Sequence, residues 1–345
     1  MKTIDLRHSS RIEVPLINNN EARQLNEKGW SLSYTYYLSE LRDVYLALKI
    51  TKFQDHNSFT EFCKSISLPF AKTRWDKRRV LEYLNALKNF SLVGPDYQIT
   101  KRVFNNRVIG SPLTQDDLNV FREIYFDYFR FKEIFSWFID PSPLSRLDLI
   151  KRINIGRIRN DSKPLFAFSE NGKFMDSFIY DLEDSATIYS IRRNSLDSEG
   201  NKVLGGEDLM RFWDVFIKWG LTLKVIEKFS LKSLGIEVSS AKNLSCCYII
   251  NENPVDIDLV KYVDERFSNR YIYLPQLVFD IATEYRLSLE KAQTIIIDQY
   301  RAHREYFSFE RTSEIFVKRG EIKADDKILF PKYNDAYISH MVVRR

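Results

Sequence analysis

The chain is 345 residues long, more than one hydrophobic core usually holds, so two or three domains are expected. Its hydrophobic fraction of 44% and charged fraction of 29% belong to a globular protein, while only 11 glycines argue against glycine-rich phosphate loops and a doubly wound nucleotide fold. A net charge of +5 excludes capture of a polyanion by a general field, so any nucleic-acid affinity must come from local clusters of cations.

Residues 1–30 read as a partly ordered arm, with RIEVPLI strand-like and NNNEARQLNEKG polar and turn-rich. From Leu38 the pattern LSELRDVYLALKI is helical, with Leu38, Leu41, Val44, Tyr45 and Leu48 on one face. Ser39 is the candidate cap, and Arg42 at the third position leaves it without a capping box. SFTEFCKSISLPF, residues 58–70, is a second, shorter helix that Pro69 should end. AKTRWDKRRVLEYLNALKNFSLVGPDYQIT, residues 71–100, opens in a knot of positive charge, becomes a third amphipathic helix and leads into extended YQITKRVF.

The end of that third helix carries a resemblance. Leu84 and Leu87, spaced Leu-x-x-Leu, are followed by Leu92-Val93 and a Gly94-Pro95 turn. This resembles the end of a winged-helix recognition helix stepping into its first wing strand, over roughly residues 35–110. The resemblance to the winged helix-turn-helix superfamily is at the level of the fold.

SPLTQDD marks a boundary, where Thr114 can cap a helix with Asp117 three residues on. That helix is expected to run to Pro141 and Pro143 with rings on nearly every side, among them Phe121, Tyr125, Phe126, Tyr128, Phe129, Phe131, Phe135, Trp137 and Phe138. A helix apolar all round is buried on several sides. It reads as a spine between domains, the competing reading being a stack for single-stranded bases.

Residues 142–254 form a mixed module. RLDLIKRI is helical, and PLFAFSENGKFMDSFIY reads as two strands around Asn171-Gly172. GEDLMRFWDVFIKWG and LTLKVIEKFSLKSLG read as two helices ended by Gly220 and Gly235, and CCYIIN as a short strand. From 255 to 345 the plan repeats more plainly. DIDLVKYVDERF is a helix, YIYLPQLVFDIATEYR a strand leading into a second, and SLEKAQTIIIDQYRAHREYF a third with Leu289, Ala292, Ile296, Tyr300 and His303 on one face. His303 is read there as a core residue. SEIFVKRGEIKADDKILF and YISHMVVRR supply wing-like strands. The expected architecture is mainly α with small β-hairpins (α+β). Its winged-helix-like modules, 31–112 and 255–345 with 142–254 between them, are joined by a long aromatic helix over 113–141.

On a helical wheel of residues 73–90, Val80, Leu84 and Leu87 point inward while Arg74, Arg78 and Asn85 lie nearly opposite. Lys72, Thr73, Arg74, Lys77, Arg78 and Arg79 crowd the N-terminal end, opposed only by Asp76. Positive charge there works against the helix dipole by roughly 0.3–1 kcal/mol per exposed group, and in helix-turn-helix proteins this end meets base edges and phosphates. Arginine suits guanine, asparagine adenine and lysine phosphate. From Tyr97 to Gln115 there is no acid, while Lys101, Arg102 and Arg107 are present, as a phosphate-gripping wing requires. The competing reading is a solvated or internally paired charged face. Lys151, Arg152, Arg157 and Arg159 offer a secondary phosphate track, Arg192 and Arg193 a shorter one. The third C-terminal helix mixes Lys291, Asp298, Arg301, Arg304 and Glu305, which suits a protein surface better than a phosphate backbone.

For catalysis the sequence offers little. His8, His56, His303 and His340 have no metal-ligand spacing, and no P-loop, nucleophile-elbow or H-E-x-x-H motif occurs. Glu321 and Lys323 in GEIK, with Glu314 or Glu310 upstream, form the nearest approach to a Mg²⁺-nuclease constellation. Cys63 and the adjacent Cys246 and Cys247 form no even framework and no C-x-x-C, which points to thiols in a reducing compartment. The N-terminus has no apolar core of signal-peptide length, and no apolar run approaches the roughly 18 residues of a membrane span.

The expectation is a cytoplasmic, non-enzymatic protein that binds double-stranded DNA, without cofactor, metal or membrane. It would act in transcription regulation or as the DNA-engaging subunit of mobile-element, repair or phage-defence machinery. A protein partner or self-association is expected through the aromatic helix or the C-terminal module. The alternatives are a protein–protein scaffold of winged helices whose basic face meets an acidic partner, and a Mg²⁺-dependent nuclease.

Overall fold

The computed structural model describes residues 2–5, 11–14, 32, 34–72, 76–105, 107–132, 135, 177–181, 209–230, 244–311 and 329–344, and these fall into two units. It is mainly α, with small antiparallel sheets. Among the described residues no helix is long and apolar enough to cross a membrane.

One unit is built from α1 (Leu38–Ile50), α2 (His56–Ser65), a 3₁₀ turn at Pro69–Lys72, α3 (Asp76–Asn89), α4 (Gln115–Asp127) and α5 (Leu209–Thr222). The expected apolar face of α1 is buried, and so are Arg42, Asp43, Leu46 and Ala47, which makes α1 the central element of this unit. Its cap is Tyr37, with no side-chain cap bond, and Ser39 already lies inside the helix. Asp55 caps α2 by accepting from the backbone N–H groups of Asn57 and Ser58. That helix ends before Pro69, where Ser67 takes a left-handed φ of 63°. Thr114 and Asp117 form the capping box of α4 that their spacing predicts.

The aromatic helix is not continuous. It breaks at Tyr128, whose ψ of 122° is extended, and helical backbone resumes at Phe129. The break re-aims the rings, which a straight helix would spread around its circumference. Phe121, Phe131 and Phe90 surround Trp219 of α5, and Tyr125 stacks on Phe216 with centroids 5.1 Å apart. The Trp219 Nε1–H donates to the Thr35 carbonyl at 2.8 Å, and the Tyr125 hydroxyl to the Phe216 carbonyl at 2.9 Å. Phe121, Tyr125, Tyr128, Phe129, Phe131 and Phe135 are thereby buried within one unit, not offered to a partner or to bases. Trp137 and Phe138 lie outside the described residues.

The other unit holds β1 (Lys2–Asp5) paired antiparallel with β2 (Arg11–Val14), and a three-stranded sheet. That sheet contains β3 (Ser177–Asp181), β4 (Ile226–Ser230) and β5 (Leu244–Ile249) in the order β3-β5-β4. Here the expected second middle helix is corrected. Gly220 is buried inside α5 and does not end it, Lys224 takes φ 56°, and the next residues pair with β5 as a strand. Ile226 and Phe229 face a core, so tertiary pairing overrides a helical reading.

There follow α6 (Leu259–Arg266), β6 (Tyr271–Tyr273), α7 (Leu274–Tyr285), α8 (Leu289–Ala302), β7 (Phe307–Arg311), β8 (Lys332–Tyr333) and β9 (Ala336–Val343). β9 lies between β6 and β7, all antiparallel. Leu277, Val278, Ile281, Ala292, Ile296 and Met341 centre this core, which also takes in Phe229 and Tyr248 of the middle strands. The buried Glu227 accepts the Leu289 N–H at 2.9 Å, and the Tyr248 hydroxyl donates to the Leu287 carbonyl at 2.6 Å. Of the described residues between 142 and 254, α5 belongs to one unit, and β3, β4 and β5 to the other. His303 is half-exposed at the end of α8, with Nδ1 3.7 Å from Glu305, rather than in the core.

Candidate nucleic-acid interface

The seating of α3 follows from its apolar stripe. Val80, Tyr83, Leu84, Ala86 and Leu87 are all fully buried, as the wheel requires for Val80, Leu84 and Leu87. The first helical residue, Asp76, accepts the Lys77 N–H at 2.6 Å and pairs with Lys64 at 2.5 Å, which offsets the adverse cations at this positive dipole end. Thr73 and Arg74 lie outside the described residues, as does the side chain of Lys72.

Of the described cations at the front of α3, Lys77 and Arg78 are exposed. Arg78 is 3.9 Å from Glu82 one turn on, with its side chain 54% exposed, which is the geometry of a weak surface pair. Arg79 is held inward. It meets Glu40 at 3.2 Å and lies over the Phe70 ring, and the Tyr83 hydroxyl donates to the same Glu40 carboxylate. Burial raises the Glu40 pKa against the lowering by Tyr83 and Arg79. Asn85 is half-buried and accepts the Tyr97 hydroxyl at 3.4 Å, so its carbonyl oxygen turns towards the following loop.

That loop is a tight hairpin with a single antiparallel bridge, Val93 to Ile99, where paired wing strands are expected. The Gly94 N–H donates to Gln98 at 2.8 Å, and a Cβ at Gly94 would stand 3.1 Å from Asp96. The hydroxyl of buried Tyr45 donates to the Lys101 carbonyl at 2.8 Å and accepts the Val103 N–H at 3.1 Å. Phe104 fills the core beside Tyr45 and Phe121. With the backbone held from beneath, Lys101 and Arg102 are left exposed. Among the described residues no carboxylate makes a salt bridge with Lys77, Lys101 or Arg102, although the Lys77 charge, after Lys64, helps to hold the neighbouring Asp76 carboxyl below its ordinary value. The length of α3 separates the two pairs of cations by about 20 Å.

Arg107 departs from the expectation. The acid-free stretch ends at Gln115, and the next two residues take this guanidinium: Nε meets Asp117 and the terminal nitrogen meets Asp116, each at 3.0 Å. The bond to Asp117 pushes the Arg107 pKa up. For Asp117 burial works upward, but the Thr114 N–H and Arg107 outweigh it and hold the carboxyl below its ordinary value. Arg107 is thus part of the loop's own closure.

Sequence reading also missed Arg42 and Asp43. Fully buried Arg42 meets Asp43 at 2.8 Å, Asp117 at 3.4 Å and the Ser111 and Pro112 carbonyls at 2.5 and 3.1 Å, while Asp43 accepts the Gly110 N–H at 3.0 Å. A signal was present: Arg42 and Asp43 stand in the middle of the helix, directly between Leu41 and Val44 of its apolar face.

Several expected features lie outside the described residues: Lys151, Arg152, Arg157, Arg159, Arg192, Arg193, the Asn171-Gly172 hairpin and Glu314, Glu321 and Lys323. Comparison of the chain with protein-family models, curated proteins and solved structures returned no match.

Proposed function

We propose that the protein is a non-enzymatic double-stranded DNA-binding protein of a reducing, cytoplasmic compartment, built from winged-helix-like modules. The grip is formed by the front of α3 and the loop behind it. The observation that carries this reading is selective exposure: Lys77, Lys101 and Arg102 project into solvent, as does Arg78 despite its weak pair with Glu82, while Lys64, Arg79 and Arg107 are engaged by acids at 2.5–3.2 Å. Lys77 and Arg78 approach bases and phosphates at one end of α3, and Lys101 and Arg102 hold phosphates near the other. In sequence, Lys72, Thr73 and Arg74 extend the first group.

The winged-helix part of the proposal is supported by element order. α6, α7 and α8 followed by β7 and β9 carry the plan of three helices and antiparallel strands, with β6 added to the sheet. The other unit supplies three helices and a single bridge. Such a protein serves as a transcriptional regulator or as the DNA-engaging subunit of a larger machine.

The test is titration with a random-sequence duplex at several salt concentrations. Lys101→Ala with Arg102→Ala should weaken binding to all sequences and flatten the plot of log K against log salt by about two units, as for two lost phosphate contacts. Arg107→Ala should leave that slope unchanged. A double variant with wild-type affinity and slope would rule out the loop as a phosphate grip.

A further inference from the structure

The segment Tyr34-Thr35-Tyr36-Tyr37 runs past the front of α3 into α1. It is anchored at two places: the Thr35 carbonyl accepts Trp219 Nε1–H at 2.8 Å, and the Tyr37 backbone hydrogen-bonds the Tyr83 hydroxyl. Around these anchors the tyrosines carry cations on their faces. Arg78 lies over Tyr34 at 5.2 Å, and Lys218 lies over Tyr36 at 4.1 Å and Tyr37 at 5.7 Å. Tyr37 remains 53% exposed, and Lys218 is exposed too.

A cation over a ring keeps its full charge. Tyr34 and Tyr36 are partly buried and pack edge to face with centroids 6.2 Å apart, so the ring that the patch presents beside these charges is that of Tyr37. Within a duplex the bases already stack on one another and have no face left for a tyrosine. Unpaired bases do, and single-strand binding surfaces combine cations with rings in this way. Arg78 belongs both to this patch and to the duplex grip, so a strand leaving the duplex at the front of α3 would meet the tyrosines next.

We propose that the exposed ring of Tyr37, on a segment where Tyr34 and Tyr36 hold Arg78 and Lys218, is a stacking site for the unpaired strand of DNA whose duplex part is held by α3. This rests on the DNA-binding reading above, and it makes the preferred substrate a junction between double and single strand.

The experiment compares three probes on the full chain: a blunt duplex, the same duplex with a single-stranded thymidine tail, and the thymidine oligomer alone. The wild type should prefer the tailed duplex by about tenfold, the scale of stacking one base on an aromatic ring. Tyr37→Ala should remove that preference and leave blunt-duplex affinity unchanged. The substitution is safe for folding, because the Tyr37 side chain makes no cap bond to α1 and is half-exposed. Tyr37→Trp should restore the preference, and its added emission should be quenched by the tailed duplex and not by the blunt one. Lys218→Gln should weaken the tailed complex alone.

Equal wild-type affinity for blunt and tailed duplex would overturn the stacking site and leave the duplex grip standing. A tail preference that survives Tyr37→Ala would also overturn it. Tyr37-dependent binding of the oligomer with no duplex binding would keep the stacking site and sink the duplex grip. Binding of none of the probes would end both.

Discussion

Arg42 carries a full charge inside the core of its unit, with Asp43, Asp117 and two carbonyls arranged around it. Removing one member of such a set leaves the others buried and uncompensated. Arg42→Ala should therefore cost about 3–5 kcal/mol in urea unfolding; a loss below about 1 kcal/mol would mean that water already satisfies these groups. In the other unit, Asp280 accepts Gln276 Nε2–H at 2.7 Å. Burial pushes its pKa up to about 6, with Glu284 adding to the rise and Gln276 and Arg266 opposing it. A carboxyl that titrates near 6 when folded and near about 3.9 when unfolded binds its proton more readily in the folded state. Its contribution is greatest below the unfolded value and is lost as pH rises towards the folded one. Stability of the wild type relative to Asp280→Asn should thus fall between about pH 4 and about pH 6. A pH-independent difference between the two proteins would refute this. Residues of this kind are hard to read in one dimension, because Arg42 and Asp117 stand 75 positions apart and their meeting is a property of packing.

At the scale of the element, the starts of α4, α6 and α8 follow local chemistry, while α1 starts at Tyr37 without a side-chain cap. Asp258 and Ser288 cap α6 and α8 as their side chains suggest, and Thr114 with Asp117 caps α4. Thr114→Ala should cost about 1 kcal/mol, read as a lowered midpoint in urea with unchanged slope. Helix ends and continuations follow packing instead. The break at Tyr128 involves no proline or glycine, and Gly220 sits within α5 where a stop signal is read. In both places a demand for buried rings overrides local preference: Tyr128 against Phe90 and Phe212, and Phe216 and Trp219 against α4. The strand at Ile226–Ser230 has the same origin, since its partner lies beyond residue 243 and no local pattern announces it. For the candidate grip, the inward stripe of α3 was legible because 3.6-residue periodicity is local. The inward capture of Arg79 and Arg107 was not, because Glu40 belongs to another helix and Asp116 and Asp117 to the turn after the loop.

For the whole molecule, two units with separate cores predict separable unfolding. Leu84→Ala and Ile296→Ala should each cost about 2–5 kcal/mol, and calorimetry should show them lowering different transitions. A single transition shifted by both would mean that the units unfold together. The sequence by itself determined the class, mainly α with small antiparallel sheets, the buried faces of α1 and α3 and the capping box of α4, because these depend on spacing within a few residues. It also located the basic front of α3. The tertiary structure alone decided that α5 and the strands β3, β4 and β5 belong to different units, that the aromatic rings turn into one core, and which cations stay outside. Burial and ion pairing join residues far apart in the chain, and their energies exist only once the fold has brought those residues together.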